Sequence, residues 1–398
     1  MSAPEMPMIK LTKYSFHNEA DTKQKLIDFI RSADILSMGE ETKRFEKNFA
    51  KKQGRSHAVF VNSGSSANLI LLQSLLNLGR LKRGNRVGFS AVTWSTNVMP
   101  IIQLGLVPVA IDCELDTLNV SSALLRQHIK DLDAFFLTNV LGFSSDIGEI
   151  EEMCKKEGVL LLEDNCESLG SSVGGKLLGN FGLASTFSFF VGHHLSTIEG
   201  GMVCTDDAEL NDMLLMTRAH GWNRNLSSGK QEELRDAYGT SAFYERYTFY
   251  DLSVNVRPTE IQAFIGTIQL GYWDEIVDKR ERNFKHLHSF MEKNSDIMPL
   301  HTSHMDIVSN FAIPVVCASD EAFALYMRKF EDNGVEIRPL IAGNITKQPF
   351  YEKYVSKQEV LPNADLINSR GFYFGNNPDL TEAEIQLLST LVEFPALS

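Results

Sequence analysis

No apolar stretch in the 398 residues is long enough to cross a membrane. The strongest apolar runs are short and broken by glycine, proline or charge, whereas a spanning helix needs roughly 20 apolar residues. The amino terminus, MSAPEMPMIKLTKYSF, has no apolar segment of the secretory kind, so a soluble cytoplasmic chain is expected. Cysteine is scarce: Cys113, Cys154, Cys166, Cys204 and Cys317 are scattered and form no CxxC pair. That spacing argues against a disulfide framework and against a structural zinc site. Positive charge is not in excess either. With 38 Lys and Arg against 51 Asp and Glu, the formal charge is -13, which argues against a general nucleic-acid surface. A local basic pocket for a phosphorylated small molecule stays compatible with that balance. Repeats and low-complexity tracts are also missing.

What is present is an ordinary globular composition, 43% hydrophobic and 22% charged, over a length that suits two domains. Residues 20–36 place Leu26, Ile27, Ile30 and Ile35 at helical spacing, and Glu41 to Lys52 forms a second helical pattern around Phe45 and Phe49. A strand at 58–61 runs into NSGSSAN (62–68) and a helical run over 69–78. Strands at 86–90, 107–111, 134–140 and 159–162 then alternate with helices through 104, near 121–130 and over 147–157. Repeated strand–helix units with short connections predict a three-layer α/β domain. A helix over 207–219 precedes residues 220–252, polar and aromatic without a clear period. They read as an irregular loop serving function or a subunit contact. A helical run to about 270 follows SVNVRPTE (253–260), and a long amphipathic helix spans 273–291. From about 300 the pattern becomes strand 311–316, helix 320–333 ended by Gly334 and strand 335–337, and later Tyr373-Phe374-Gly375 is followed by a terminal helix over 382–392. The expected division is an arm over 1–20, a large α/β domain over 21–270 and a small α+β domain over 271–398.

The stretch from Leu161 to Cys204 gathers chemistry. Glu163 and Asp164 end a strand, an aromatic run follows at 186–190, then His193 and His194, then Glu199-Gly200-Gly201. A parallel-type sheet brings such strand ends to one edge, where ligands of open α/β sheets sit. SGSS at a helix start offers free amides and hydroxyls to an anion, although the same letters also make a plain cap and turn. The glycine spacing fits neither a P-loop nor a dinucleotide fingerprint. Trp94, between strand and helix, either presents a flat face to a planar ring or fills core.

These pieces, in order, resemble the sugar aminotransferases of the DegT/DnrJ/EryC1/StrS family, within the fold type I class of pyridoxal phosphate enzymes related to aspartate aminotransferase. The matching segments are SGSSAN (63–68), TWSTN (93–97), GLVPVAID (105–112), ED (163–164), FSF (187–189), EGG (199–201) and NVRPTE (255–260). The resemblance covers nearly the whole chain. It implies a large three-layer domain with a mixed, mostly parallel sheet and a smaller C-terminal α+β domain.

One departure matters most. Four residues after the last Phe of FSF, where relatives carry the lysine that binds the cofactor covalently, this chain has His193; Lys176 precedes the aromatic run and cannot substitute for it. With His194, EGG, HGWNRNLSSG (220–229) and IRPLIAGNITKQPF (337–350), the pattern resembles the histidine-containing GDP-4-keto-6-deoxy-D-mannose 3-dehydratase branch. Histidine cannot form a stable Schiff base, but near neutral pH it moves protons. The resemblance therefore implies noncovalent pyridoxamine 5'-phosphate or pyridoxal 5'-phosphate, with His193 taking a C4′ proton and protonating the departing C3 hydroxyl. Glutamate would regenerate the amine form, ammonia would be released, and the 4-keto-3,6-dideoxy sugar would lead toward colitose and surface polysaccharide.

The resemblance also assigns further residues. Asp164 would meet the pyridine nitrogen, Trp94 would stack on the ring and Glu167, in place of the family's common Gln, would contact the ring hydroxyl. Gly64, Ser65 and Ser188 would receive the phosphate, with Asn255 reaching it from the second subunit of a homodimer. His220, Arg224, Arg338 and Asn344 would meet the nucleotide sugar. His194 is as readily a turn filler. Arg257 and Glu260 suit a site-shaping ion pair as well as a substrate contact. A second dehydratase branch carries an iron–sulfur cluster and works with a reductase, but residues 220–249 contain no cysteine, so neither is expected. An aminotransferase working without the lysine, and a non-catalytic sensor or scaffold of the same fold, remain as alternatives at this point.

Overall fold

The computed structural model describes residues 9–356 and 359–393. Helices α1 (Glu19–Ser32) and α2 (Glu40–Gln53) precede strand β1 (His57–Val61). The chain then alternates through α3 (Gly64–Asn77), β2 (Arg86–Ser90), α4 (Ser95–Gln103), β3 (Val107–Ile111), α5 (Ser122–Leu125), β4 (Ala134–Thr138), α6 (Ile147–Glu157) and β5 (Leu160–Asp164). A short hairpin, β6 (Ser172–Val173) and β7 (Lys176–Leu177), leads to β8 (Ala184–Ser188) and β9 (Gly201–Thr205). Helices α7 (Ala208–Thr217), α8 (Ser228–Ala237), α9 (Glu260–Leu270) and α10 (Trp273–Met291) follow. The carboxyl-terminal part adds β10 (Ala312–Val316), α11 (Asp320–Asp332), β11 (Ile337–Pro339), α12 (Pro349–Tyr354), α13 (Pro362–Arg370), β12 (Gly371–Gly375) and α14 (Glu382–Glu393).

Seven strands form one sheet in the order β1-β9-β8-β5-β4-β2-β3. Only β9 opposes the others; its two pairings are antiparallel and the remaining four are parallel. The central strand β4, AFFLT, is buried along its length, as a parallel strand covered on both faces must be. Thr138 and Asp164, the last residues of β4 and β5, share one register row with Thr186 in the middle of β8. Ser188 pairs with Gly201, and so does Val61. Because β9 runs backwards, its first residue reaches the edge where its neighbours end. That edge carries Gly64, Asp164 and Ser188.

A second sheet, β10-β12-β11, is antiparallel. Pro314 sits in its edge strand β10, where a missing donor is tolerated. The amino-terminal arm is stitched to this sheet: Ile9 bridges Val335, and the Leu11 N–H donates to Glu336 at 3.0 Å. One buried apolar cluster runs from Val59 and Phe136 of the large sheet to Phe372 and Phe374 of the small one. We propose the division near residue 270 as one of topology, not of separate cores. No helix among the described residues is long and apolar enough to cross a membrane.

Four expectations need correction. The helix near 121–130 is the short α5 followed by a 3-10 turn at Ile129–Asp131. Residues 220–252 are not wholly irregular: α8 and a 3-10 turn at Tyr244–Tyr247 lie within them. Helix α8 escaped notice because SGKQEELRDA buries none of its residues and so shows no apolar period; the Ser227 cap starts it. Helix α3 begins at Gly64, inside the glycine–serine segment and not after it. The strand expected at 335–337 lies at Ile337–Pro339.

Candidate active site

Asp164 is the last residue of β5 and 4% exposed. Its Oδ2 accepts from Asn68 Nδ2 at 2.9 Å and Asn97 Nδ2 at 2.7 Å, and its Oδ1 accepts the Cys166 N–H at 2.9 Å. Glu163, one residue earlier, points to the other face, as strand alternation requires. Its two oxygens accept the N–H groups of Gly179, Phe181 and Gly182, each at 2.7 Å, and the Asn139 amide at 3.2 Å. Of the paired carboxylates, one serves the cavity and the other ties down the loop before β8.

Helix α3 starts at the same edge. Ser63 caps it by accepting the Ser66 N–H at 3.1 Å, leaving the amides of Gly64 and Ser65 as free donors. A Cβ at residue 64 would stand 2.7 Å from Ser188 Cβ and 3.2 Å from Cys166 Sγ. Only glycine lets the helix start approach β8 this closely. The resulting cradle of amides and hydroxyls suits a phosphate at the positive end of a helix. Trp94, at the cap position of α4, keeps 54% of its surface exposed and is a wall of the cavity, not core.

His193 lies in the turn after β8, half-buried, its N–H on the Phe190 carbonyl at 2.9 Å. Its ring stands edge-on to Phe190 at 6.1 Å and Phe311 at 5.5 Å, and its Nδ1 is buried without a partner. Burial pushes the imidazole down to about 4, against the opposing pull of Asp164. The ring is thus neutral near pH 7, in the form that can accept a proton. His194 behaves differently: buried, with Nε2 3.0 Å from the Ser309 carbonyl, it is held well below its ordinary range, first by burial and then by Arg280. Glu167 is 8% exposed and accepts the Leu141 N–H at 2.8 Å. Burial, reinforced by Asp164, raises its carboxyl to about 8. Leu141 presents that N–H from a left-handed conformation, φ 52°, a strained geometry typical of functional sites.

Gly64, Ser65, Trp94, Asp164, Glu167, Ser188, His193 and Arg338 line a single cavity of about 450 Å³. No lysine lines it among the described residues. A flat face, a fixed carboxylate, a neutral imidazole and an amide–hydroxyl cradle fit a phosphorylated aromatic heterocycle without a covalent anchor. No group of three His, Cys, Asp or Glu among the described residues could hold a metal ion.

Four of the residues expected at the site lie outside this cavity. Asn255 is exposed and accepts from Arg257 Nε at 2.9 Å; beyond Asn255, the Val256 carbonyl takes the Asn62 N–H at 3.0 Å, just before the cradle. His220, at φ 60°, stacks obliquely on Trp222 at 4.5 Å, and the Arg224 guanidinium lies 3.8 Å from the Trp222 ring centre. These three form a surface group of their own. Asn344 is a correction. It is 2% exposed, donates to Asp365 at 2.7 Å and accepts from the Thr346 N–H and hydroxyl at 3.0 and 2.7 Å, so its side chain is spent on a turn. Glu260 is another: it forms no ion pair with Arg257, and instead accepts the N–H groups of Gly39, Glu41 and Thr42 and the Thr42 hydroxyl at 2.7–3.0 Å, capping α2.

Sequence reasoning passed over Asn68 and Asn97, although both stand inside motifs it singled out. A carboxamide early in a buried helix was the available signal, since asparagine is a poor helix former without a bond to make. Leu11, Thr12, Phe311, Ile341 and Tyr373 also line the cavity. They come from the arm and the small sheet, and nothing local marks them.

Residues 17–392 match the DegT/DnrJ/EryC1/StrS aminotransferase family. The chain is 33% identical over 365 residues to GDP-4-keto-6-deoxy-D-mannose 3-dehydratase of Escherichia coli O55:H7, covering 90% of this chain and 93% of the relative. Its structure is similar to that of an E. coli GDP-4-keto-6-deoxy-D-mannose-3-dehydratase with bound hydrated PLP, with TM-score 0.88, 30% identity and coverage of 98% and 100% of the two chains. A GDP-4-keto-6-deoxymannose-3-dehydratase with a trapped PLP-glutamate geminal diamine is similar at TM-score 0.87 and 30% identity, over 96% of this chain and 99% of that one.

Proposed function

The chain belongs to the DegT/DnrJ/EryC1/StrS aminotransferase family, with the fold type I architecture of its pyridoxal phosphate enzymes, and we propose that it is a 3-dehydratase of a nucleotide-linked 4-keto-6-deoxyhexose, most specifically GDP-4-keto-6-deoxy-D-mannose. The observation that carries this reading is His193: a neutral imidazole on the wall of a cavity that offers no lysine among its described residues. Similarity to the GDP-linked dehydratases supports the substrate, and the glutamate-trapped relative supports glutamate as amino donor.

The cofactor, pyridoxamine or pyridoxal phosphate held noncovalently, supplies an amine for the sugar carbonyl and an electron-withdrawing ring. Gly64, Ser65 and Ser188 would receive its phosphate, Trp94 would cover its face, Asp164 would pair with its ring nitrogen and Glu167 would meet its ring oxygen. His193 would be the group that accepts a proton from the cofactor side and returns one to the departing C3 hydroxyl; its half-buried ring stands edge-on to Phe190 and Phe311, which screen it in part from water. The balance is closed by glutamate. Its oxidation to 2-oxoglutarate and ammonia supplies the two electrons that reduce C3–OH to C3–H; the water lost from C3 equals the water consumed in releasing 2-oxoglutarate and ammonia, so none is formed overall.

The functional unit is a homodimer in this reading. Asn255, His220 and Arg224 sit outside their own cavity; Trp222 beside His220 stacks on exposed Phe249, and Arg224 lies over exposed Tyr247; such a surface suits a second copy that completes each site. Mixing His193→Asn chains with Asn255→Ala chains should restore activity through hybrid dimers carrying one intact site; no restoration counts against shared sites.

The decisive assay incubates the protein with pyridoxal phosphate, glutamate and GDP-4-keto-6-deoxymannose. Ammonia and 2-oxoglutarate should appear one for one with a sugar lighter by one oxygen. Nitrogen retained in the sugar would instead identify an aminotransferase, and no turnover would favour a non-catalytic role.

A further inference from the structure

Resting on the cofactor reading above, we infer that Asn68 and Asn97 are positioning residues that hold Asp164 as an anion beneath the cofactor's ring nitrogen, so that the ring keeps its proton through the working pH range. Both carboxamides are buried, 1% and 0% exposed, and both donate to the same oxygen, Oδ2, at 2.9 and 2.7 Å. Oδ1 takes the Cys166 N–H at 2.9 Å. A carboxylate accepts at roughly four positions, so three donors leave room on Oδ1 for one more.

The orientation of the two amides is dictated. Turned over, either would set a carbonyl oxygen against the Asp164 anion. Held as they are, the Oδ1 atoms of Asn68 and Asn97 are both buried without a partner. A fold selected for stability alone has little use for two such orphans; a fold that must present one ionised carboxylate at a fixed angle does.

The two helices explain why the pair matters for the whole site. Asn68 stands four residues after Gly64 on α3, the helix whose start cradles the phosphate. Asn97 stands three residues after Trp94 on α4, the helix whose cap supplies the flat wall. Such spacings put side chains on one helix face. Through Oδ2 the two helices are tied to β5, so the contacts to phosphate, ring face and ring nitrogen belong to one rigid frame. The titratable groups facing Asp164 are His193, Glu167 and Cys166.

The test loads the full chain with pyridoxal phosphate labelled with nitrogen-15 in the ring and follows the nitrogen chemical shift from pH 6 to 9. In the unmodified protein the ring should remain protonated throughout. Asn68→Ala and Asn97→Ala should each bring deprotonation at least about one pH unit lower, a tenfold change in proton affinity, and the double variant lower still. Asn97→Ser, which keeps a shorter donor, should fall between. The kcat should drop about tenfold per alanine variant with the KM for the nucleotide sugar within about twofold, the split expected when only transition-state stabilisation is lost. A ring nitrogen in the unmodified protein that titrates as in free cofactor would overturn the inference, even if no variant folds. So would alanine variants that stay protonated to pH 9. Failure of the unmodified chain to take up pyridoxal phosphate would sink the cofactor reading with it, whereas uptake with an ordinarily titrating nitrogen sinks only the role of the asparagine pair.

Discussion

The carboxyl edge of the large sheet has two sides, and neighbouring residues of like chemistry are divided between them. On the cavity side stand Asp164 and His193; behind them stand Glu163 and His194. Glu163 accepts four donors and His194 is bound to the Ser309 carbonyl. Asp164 accepts three; each histidine keeps a buried Nδ1 without a partner, but His193 alone of the two lines the cavity. The back side spends its hydrogen-bonding capacity on the fold. Between the carboxylates the cavity side holds some in reserve for a ligand; between the histidines it is access to the cavity that separates the two.

Substitutions on the two sides should therefore fail in different ways. The largest effect belongs to His193→Asn: a loss of about 10³-fold in kcat, within the span general acid–base catalysis supplies, with pyridoxal phosphate affinity changed less than about threefold by fluorescence titration. Loss of cofactor binding in step with kcat would show His193 to be a structural residue like its neighbour. Glu163→Gln should act on the other coordinate. Replacing an anion held by four donors costs about 3 kcal/mol of stability, read as a lower urea midpoint, while the folded fraction keeps its kcat. An unchanged midpoint would deny the anchoring role.

The pH dependence sharpens the contrast. Glu167 ionises at about 8 in the folded chain, above its ordinary 4.5, so the native state holds the extra proton between those values. Its contribution to stability is full below pH 4.5 and is lost as pH rises toward 8, by at most about 1.4 kcal/mol per pH unit. Glu167→Gln should flatten that slope in urea titrations of the cofactor-free protein. His193 works in the opposite sense. Its folded value of about 4 lies below 6.5, so stability is lost as pH falls from 6.5 to 4, and His193→Asn should remove that loss. The smallest effect is expected for His194→Phe: about 1 kcal/mol for the lost bond to Ser309, with kcat within about threefold. A kcat collapse there would make the second imidazole part of the chemistry.

Much of the fold was legible because its periodicity is a local property. Helices α6 and α10 and strands β2 and β3 fall on the bounds expected for them, since apolar residues at 3.6 or 2 residue spacing must face a core wherever the chain goes. Helix α8 was not legible, having no buried face to announce it. Within the site, the residues at strand ends and helix starts were accessible, because an α/β sheet delivers those positions to one edge. Polar residues whose partners are distant in sequence were the ones misjudged. Asn344 serves a turn with Asp365, Glu260 caps a helix more than 200 residues upstream, and Asn68 and Asn97 meet Asp164 across 96 and 67 residues.

By itself the amino-acid sequence determined the order of strands and helices, the placing of His193 four residues after the aromatic run, and the glycine that starts α3. Each is a matter of spacing or of a single residue's chemistry. Which histidine and which carboxylate face the cavity, that the amino-terminal arm and the small sheet wall it, and that two asparagines converge on one oxygen were decided only in three dimensions. Burial and hydrogen-bond satisfaction are set by what the rest of the chain brings near a residue, and no local window contains that.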